Sequence, residues 1–257
     1  MLRAAAVRGH VAAQLVYAQA LLDGAGDASL AVRWLRIAAE AGYPPAANLL
    51  GRCLEKGWGT PADHPGAACW YRIAASTGDD WGRYNLANML LRGRGVPLDR
   101  AEAWTLFRTA AGNGHAKSMN LVARFLDEGW DRPRDPARAA WWYRRSAEAG
   151  DYRGCHNFAV LLAEAGRRPE ALGWWHRAVP DATPDILDAM EAILAPWPEA
   201  ADLLGTVRRR SASFRDGRGI DGRTDLPSGG RTVNRFGLVR LARRWPGFGR
   251  GRVSSPP

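Results

Sequence analysis

Apolar and small residues recur along this chain on two scales, one of three to four residues and one of 36. The short scale marks helices. Leu86 and Leu90 stand one turn apart, with Gly82 and Ala87 as small residues that let a neighbouring helix come close, which predicts a helix over 81–91. A second follows over about 101–111. The long scale is set by glycines: Gly42, Gly78, Gly114 and Gly150 lie 36 residues apart, and Gly9 precedes them by 33. Twelve residues after these five glycines stand Leu21, Leu54, Leu90, Leu126 and Leu162; eleven before the last four stand Ala31, Ala67, Ala103 and Ala139. Eight before them stand Trp34, Trp70, Leu106 and Trp142, each followed by a large apolar residue, Leu35, Tyr71, Phe107 and Tyr143. A shortened fifth unit repeats this ending as Ala171 and Trp174-Trp175. Tryptophans sharing one slot of a repeat point to inter-helix packing rather than to a platform for stacking bases.

Each unit therefore reads as two helices with a turn between them. Asp27, Asp63, Asp99 and Asp135 stand fifteen before the glycines, where a carboxylate accepts the orphan amides of a helix's first turn. Asp99 with Glu102 forms a capping-box pattern, and Pro136 after Asp135 occupies the first helical position, where a missing N–H costs nothing. The recurring glycine ends the second helix at a position that favours positive φ. Gly57-Trp58-Gly59 and Gly93-Arg94-Gly95-Val96-Pro97 carry turn chemistry between the helices.

Residues Gly78 to Asp99, with Tyr84-Asn85-Leu86 and the Gly93-x-Gly95-Val96-Pro97 loop, followed by alanine-rich second helices such as the one around Trp141-Trp142-Tyr143, resemble the Sel-one-like repeat, a relative of the tetratricopeptide repeat. The resemblance covers residues 1–182 and implies an all-α fold, an α/α right-handed superhelical solenoid of five helix pairs. Its fifth unit departs from the pattern, with Glu164 to Pro169 in place of the long loop. Arg3 to Arg8 resembles the end of a second helix whose first half is missing, so the chain is expected to begin inside a repeat, and a start further upstream, with an export signal, stays open. Ile186, Leu187, Met190, Ile193 and Leu194 continue helical periodicity and read, over 183–204, as capping helices that shield the last open face. Pro196-Trp197-Pro198 interrupts them before a short helix around 199–208. Residues 205–257, rich in glycine and arginine, are expected to be a disordered basic tail.

Charge changes the picture only at that end. The chain carries a net +10, and the tail alone accounts for it, leaving residues 1–204 neutral. Arginine outnumbers lysine 34 to 2, as a codon bias would also produce, so the basic balance argues weakly for nucleic acid. The alternative function it supports is nucleic-acid or anionic-membrane binding through the tail, where Phe236, Leu238, Leu241 and Trp245 alternate with Arg235, Arg240, Arg243 and Arg244. Gly217-x-Gly219-x-x-Gly222 spells a dinucleotide fingerprint but lacks the strand and helix one requires. No run approaches the ~18 apolar residues of a spanning helix. Three cysteines without a CxxC pair suit a reduced compartment, and Met1 to His10 shows no export signal, so a cytoplasmic location is expected.

Chemistry is sparse. The periodic aspartates are caps, the five histidines are scattered, and the adjacent Cys155 and His156 diverge on a helix, so no catalytic residue, metal site, cofactor or small-molecule substrate is expected. Cys53 and Cys69 flank one loop symmetrically and form either a disulfide or two thiols, with burial of both favoured. The resemblance includes a cysteine-rich, penicillin-binding branch that links units through cysteines eight residues apart; Cys155 occupies one such slot, but its partner position is Ala147, which disfavours that enzyme reading. In related superhelices the first helices line the concave face, and the positions six and ten after the repeat glycine point into it. Carried onto this chain, those slots are Asn48 and Arg52, Tyr84 and Asn88, Asn120 and Arg124, then His156. Amides, guanidinium groups and a phenol in one groove suit a protein or peptide, especially an acidic or C-terminal segment, as against a merely solvated polar face. The expected function is a non-catalytic interaction scaffold.

Overall fold

The structure, a computed structural model, describes residues 1–216, and every regular element among them is helical. The stretch 234–245 and the glycines at 217, 219 and 222 lie outside the described residues. The described residues fall into two compact units, residues 1–125 with 129–133, and residues 126–128 with 134–216.

In the first unit, α1 (Leu2–Val7) packs on α2 (Val11–Ala20), and consecutive pairs follow: α3 (Ala28–Glu40), α4 (Pro44–Lys56), α5 (His64–Ser76), α6 (Asp80–Arg92), α7 (Arg100–Gly112) and most of α8 (Ala116–Glu128). All four expected aspartate caps form, with Asp27, Asp63, Asp99 and Asp135 accepting from the amides of Ser29, Gly66, Glu102 and Arg138 at 2.8–3.0 Å. The repeat glycines take positive φ, between +82° and +101°. Ala31, Ala67 and Ala103 are wholly buried, as are Leu35, Tyr71 and Phe107 one turn further along. Gly82 is small for cause: a Cβ there would stand 2.6 Å from that of Ala74.

The loops index each pair on the one before. Gly59 and Gly95, φ +66° and +71°, bring their backbones against Ala28 and His64, the first residues of α3 and α5, so closely that a Cβ on Gly59 would overlap the Ala28 carbonyl and one on Gly95 would stand 2.5 Å from the His64 carbonyl carbon. The same slot in the next loop is Asp131, also left-handed at φ +53°, which bonds instead to Arg100, the first residue of α7, at 3.4 Å.

A second device alternates. Tyr71 on α5 donates its hydroxyl to Glu55 of α4 at 2.8 Å. Burial pushes the Glu55 carboxyl up, but hydrogen bonds from Lys56 and Tyr71 with the nearby Arg94 charge outweigh it and hold it below its usual value. At the same slots the next repeat has Leu91 and Phe107, and the one after it Asp127 and Tyr143, bonded at 3.4 Å within the second unit. Both members change together, as a buried hydroxyl and a buried carboxylate each need the other.

The second unit holds α9 (Pro136–Glu148), α10 (Tyr152–Glu164), α11 (Arg168–Ala178), α12 (Pro184–Leu194) and α13 (Ala201–Arg215). Leu187, Met190 and Leu194 are fully buried where α12 meets α10 and α13. The helix expected to stop near Arg208 runs to Arg215, so the boundary drawn at 205 falls inside it. Val207 and Ser211 are buried on the same stripe as Leu203, and Arg208 pairs with Glu191 of α12 at 2.8 Å. The glycines further on had masked this last apolar stripe.

Two stability measurements follow from these contacts. Glu55→Leu, which leaves the buried Tyr71 hydroxyl without its acceptor, and Tyr71→Phe, which removes one donor to Glu55, should each lower the unfolding free energy measured in urea by about 1–2 kcal/mol, while the double variant, which copies Leu91 and Phe107, should cost clearly less than their sum. Gly95→Ala should cost about 2 kcal/mol or more; Gly78→Ala, where φ is +101° but nothing lies within 4 Å, should cost only the backbone strain of about 1–2 kcal/mol.

Candidate functional site

The first helices of the pairs carry the expected polar row. In the first unit α4 packs beside α6, and Asn85 donates its side-chain amide to Asn48 at 2.8 Å, tying the two helices through the row itself. Asn48, Arg52, Tyr84, Asn88 and Arg124 are all half-buried, open enough to meet another molecule. Asn88 returns its amide to the Tyr84 carbonyl at 2.8 Å, and the Tyr84 ring stands edge-on to Trp81 at 5.9 Å and against His115 at 5.2 Å.

The arginines are placed by partners that the sequence reading missed. Arg52 lies over the Trp58 indole at 5.3 Å, and Arg124 over that of Trp130 at 5.0 Å. Both tryptophans stand sixteen after a repeat glycine, six beyond the arginine. The middle repeat inverts the arrangement, with Asn88 at the helix slot and Arg94 in the loop, where it donates to His64 at 3.2 Å and lies 3.6 Å from Glu55. The signal was legible in the repeat register, since arginine and tryptophan occur together in two repeats and are absent together from the third.

Two of the expected residues belong to the interior instead. Asn120 is only 2% exposed, because α8 is buried without interruption from Ser118 to Ala123 and has no free face there. His156, in the second unit, is 7% exposed, and its Nδ1 accepts from the Trp175 indole at 3.2 Å. A buried indole N–H requires an acceptor, so this histidine is held neutral as a core residue. His115 plays a further structural part, its ring capping α8 through Ser118.

The cysteines are all free: Cys53 and Cys155 are buried, while Cys69, expected inside, is exposed. Burial pushes both buried thiols up to about 11, away from the thiolate. Cys155 does lie against position 147, its Sγ 3.6 Å from the Ala147 carbonyl oxygen, but that position holds no sulfur. Among the described residues no group of three or more His, Cys, Asp or Glu is gathered as for a metal ion, and no helix is long and apolar enough to cross a membrane.

Burial pushes His156 and His115 down to about 4 from the ordinary 6.5. The unfolded chain therefore binds more protons than the folded one between those values, and stability, complete above pH 6.5, falls as pH drops toward 4. His156 alone should contribute a loss of about 2 kcal/mol at pH 5. Urea denaturation at pH 7 and pH 5 tests this: His156→Gln, which keeps an acceptor for Trp175, should show a shallower pH dependence than the parent, with the remainder due to His115.

The Sel1 repeat family model matches residues 11–43, 44–79, 82–115 and 116–151. Among solved structures, the chain is similar to a protective antigen present in uropathogenic Escherichia coli strains and displaying an SLR fold, with 26% identity and a TM-score of 0.65 over 85% of this chain and 52% of that one. It thus spans about half of the antigen's length. A Sel1 repeat protein from Oxalobacter formigenes is 27% identical, with a TM-score of 0.62 over 72% of this chain and 79% of that one. An immunity protein from Pseudomonas aeruginosa shares the fold at 14% identity, with a TM-score of 0.58 and 83% of each chain covered. No curated protein matches the sequence. Four consecutive matches filling more than half of the chain, on helix pairs capped and spaced as described, place the protein in the Sel1 repeat family.

Proposed function

We propose that this protein is a non-catalytic scaffold that holds a peptide or protein segment along its first helices, with Arg52, Asn88 and Arg124 receiving acidic side chains or a C-terminal carboxylate. Sel1 repeat proteins are in general protein-interaction scaffolds. The observation that carries the finer reading is the pair of stacked guanidinium groups, Arg52 on Trp58 and Arg124 on Trp130, at one slot of two repeats. A side chain already held against a ring loses less freedom when a carboxylate arrives, so its fork is presented at lower entropic cost. Asn48 and Tyr84 extend the polar row between them and supply hydrogen bonds to a backbone. Asn120 and His156, being interior, have no part in it.

Affinity purification with the full chain identifies partners, and binding of each purified partner then compares the parent with Arg52→Glu/Arg124→Glu. Affinity should fall at least about tenfold, as expected when central arginine contacts are reversed, in a variant that still unfolds cooperatively in urea and keeps the parent's helical circular dichroism. Equal affinity in the two proteins would refute the assignment.

A further inference from the structure

We propose that Arg108 and Arg132, gathered around Trp104, form a binding site for a phosphomonoester, a site separate from the arginines of the first helices. α7 presents Arg100, Trp104 and Arg108 at successive four-residue intervals, on one face. From the loop after α8, Arg132 lays its guanidinium over the Trp104 indole at 3.5 Å and near the Phe125 ring at 5.7 Å. Phe125 itself packs against Trp104 at 5.6 Å, and the Arg132 Nε donates to the Trp130 carbonyl at 3.3 Å. The fork is thus locked in plane and orientation by two rings and one hydrogen bond.

Its charge is not matched by the protein. The adjacent Asp131 pairs with Arg100 at 3.4 Å, and Glu102, the other acid of α7, lies 4.0 Å from Arg72 of α5. Arg108 is exposed and has no hydrogen bond or ion pair among the described residues, and the Nη groups of Arg132 carry no hydrogen bond there. Arg100, Arg108 and Arg132 against Asp131 leave an excess of two positive charges around one indole. Burial lowers the proton affinity of Arg132, the Arg108 charge lowers it further and Asp131 restores part, so Arg108 and Arg132 feel one another directly.

Arg108 stands one helical turn beyond the indole on which Arg132 lies, close enough for two like charges to repel, and an oxyanion bound between them removes that cost. Charge selects the anion. A carboxylate or the phosphodiester of a nucleic acid brings one negative charge, whereas a phosphomonoester brings close to two, with three acceptor oxygens for two forks. Because the monoester's second ionisation lies near pH 6, binding should weaken as pH falls through that value.

The experiment uses the full chain, ¹⁵N-labelled, following the Trp104 indole N–H, assigned by comparison with Trp104→Phe. Inorganic phosphate is titrated near pH 7.5, then a phosphoserine peptide beside its serine and glutamate counterparts, then a thymidine oligonucleotide; the second pKa of a phosphomonoester, about 6, lies well below this pH. A saturable shift with phosphate alone identifies a free-anion site, and a tighter one with the phosphopeptide identifies a phosphorylated partner; either supports the proposal. Arg108→Ala should weaken binding at least about tenfold, and Arg132→Lys, which keeps the charge but loses the planar fork, should not restore the parent's affinity. Arg108 is exposed and unpaired, so its removal leaves the fold intact and reads binding alone. The absence of a saturable shift, equal affinity in Arg108→Ala, or glutamate peptide or oligonucleotide binding as tightly as the phosphopeptide would overturn the proposal.

Discussion

Each helix pair of the first unit is located by a loop backbone seated on the first turn of the preceding second helix, and the rest of that unit depends on this contact. Gly59 on Ala28 and Gly95 on His64 allow no side chain between them. A helix pair cannot bury its apolar stripe alone, so the stacking neighbour must arrive at a reproducible height for Leu35, Tyr71 and Phe107 to meet the helices that cover them. The left-handed loop turns set that height through backbone contact, which explains why a residue other than glycine at the third such position, Asp131, comes with a compensating bond to Arg100.

The same loops carry the tryptophans on which the candidate site's arginines lie. Trp58 and Trp130 stand in the turns that make the indexing contacts, and each lies under an arginine from the helix just completed. Arg132 belongs to the second of these turns and reaches Trp104. Placing the guanidinium groups thus adds no separate scaffold, because the backbone that stacks one pair on another also fixes the rings on which they lie. The repeat with Asn88 shows the converse. Without a tryptophan in its loop, that unit keeps a small amide on the helix and turns Arg94 inward to Glu55 and His64.

What the sequence made legible was what repeats. Caps, turn glycines and the alanine and aromatic slots recur often enough for the register to exclude chance, and each is a local effect that the chain decides within a few residues. Of the candidate site, the slots that stay half-buried rather than interior, as at Arg52 and Arg124, were legible from the repeat register. A slot gives a direction, but exposure depends on what packs from elsewhere. At Asn120 the helix is covered all round, and at His156 the large indole of Trp175 fills the space that a smaller residue would have left open. Cys69 errs the other way, on the open side of α5 while Cys53 is inside α4. The reach of α13 to Arg215 was hidden by averaging Val207 and Ser211 with the glycines that follow.

The choice of arginine then bears on how the proposed scaffold, with so little net charge in its repeats, would select acidic partners. Several arginines stand in surface pairs such as Arg144 with Glu148 and Arg167 with Glu170, at 2.8 and 2.6 Å, which contribute little to stability. Arg52, Arg124 and Arg132 each lie over an indole of the first unit. A stacked guanidinium has already given up part of its hydration on one face and part of its freedom, so in the proposed reading an arriving carboxylate or phosphate would meet an oriented fork instead of a mobile, fully hydrated charge. Lysine could not replace it, since its point charge gains from an indole without being oriented by it. Under the proposed reading, selectivity would reside in the tryptophans as much as in the arginines, since the repeat's own turns place the rings that orient the guanidinium groups.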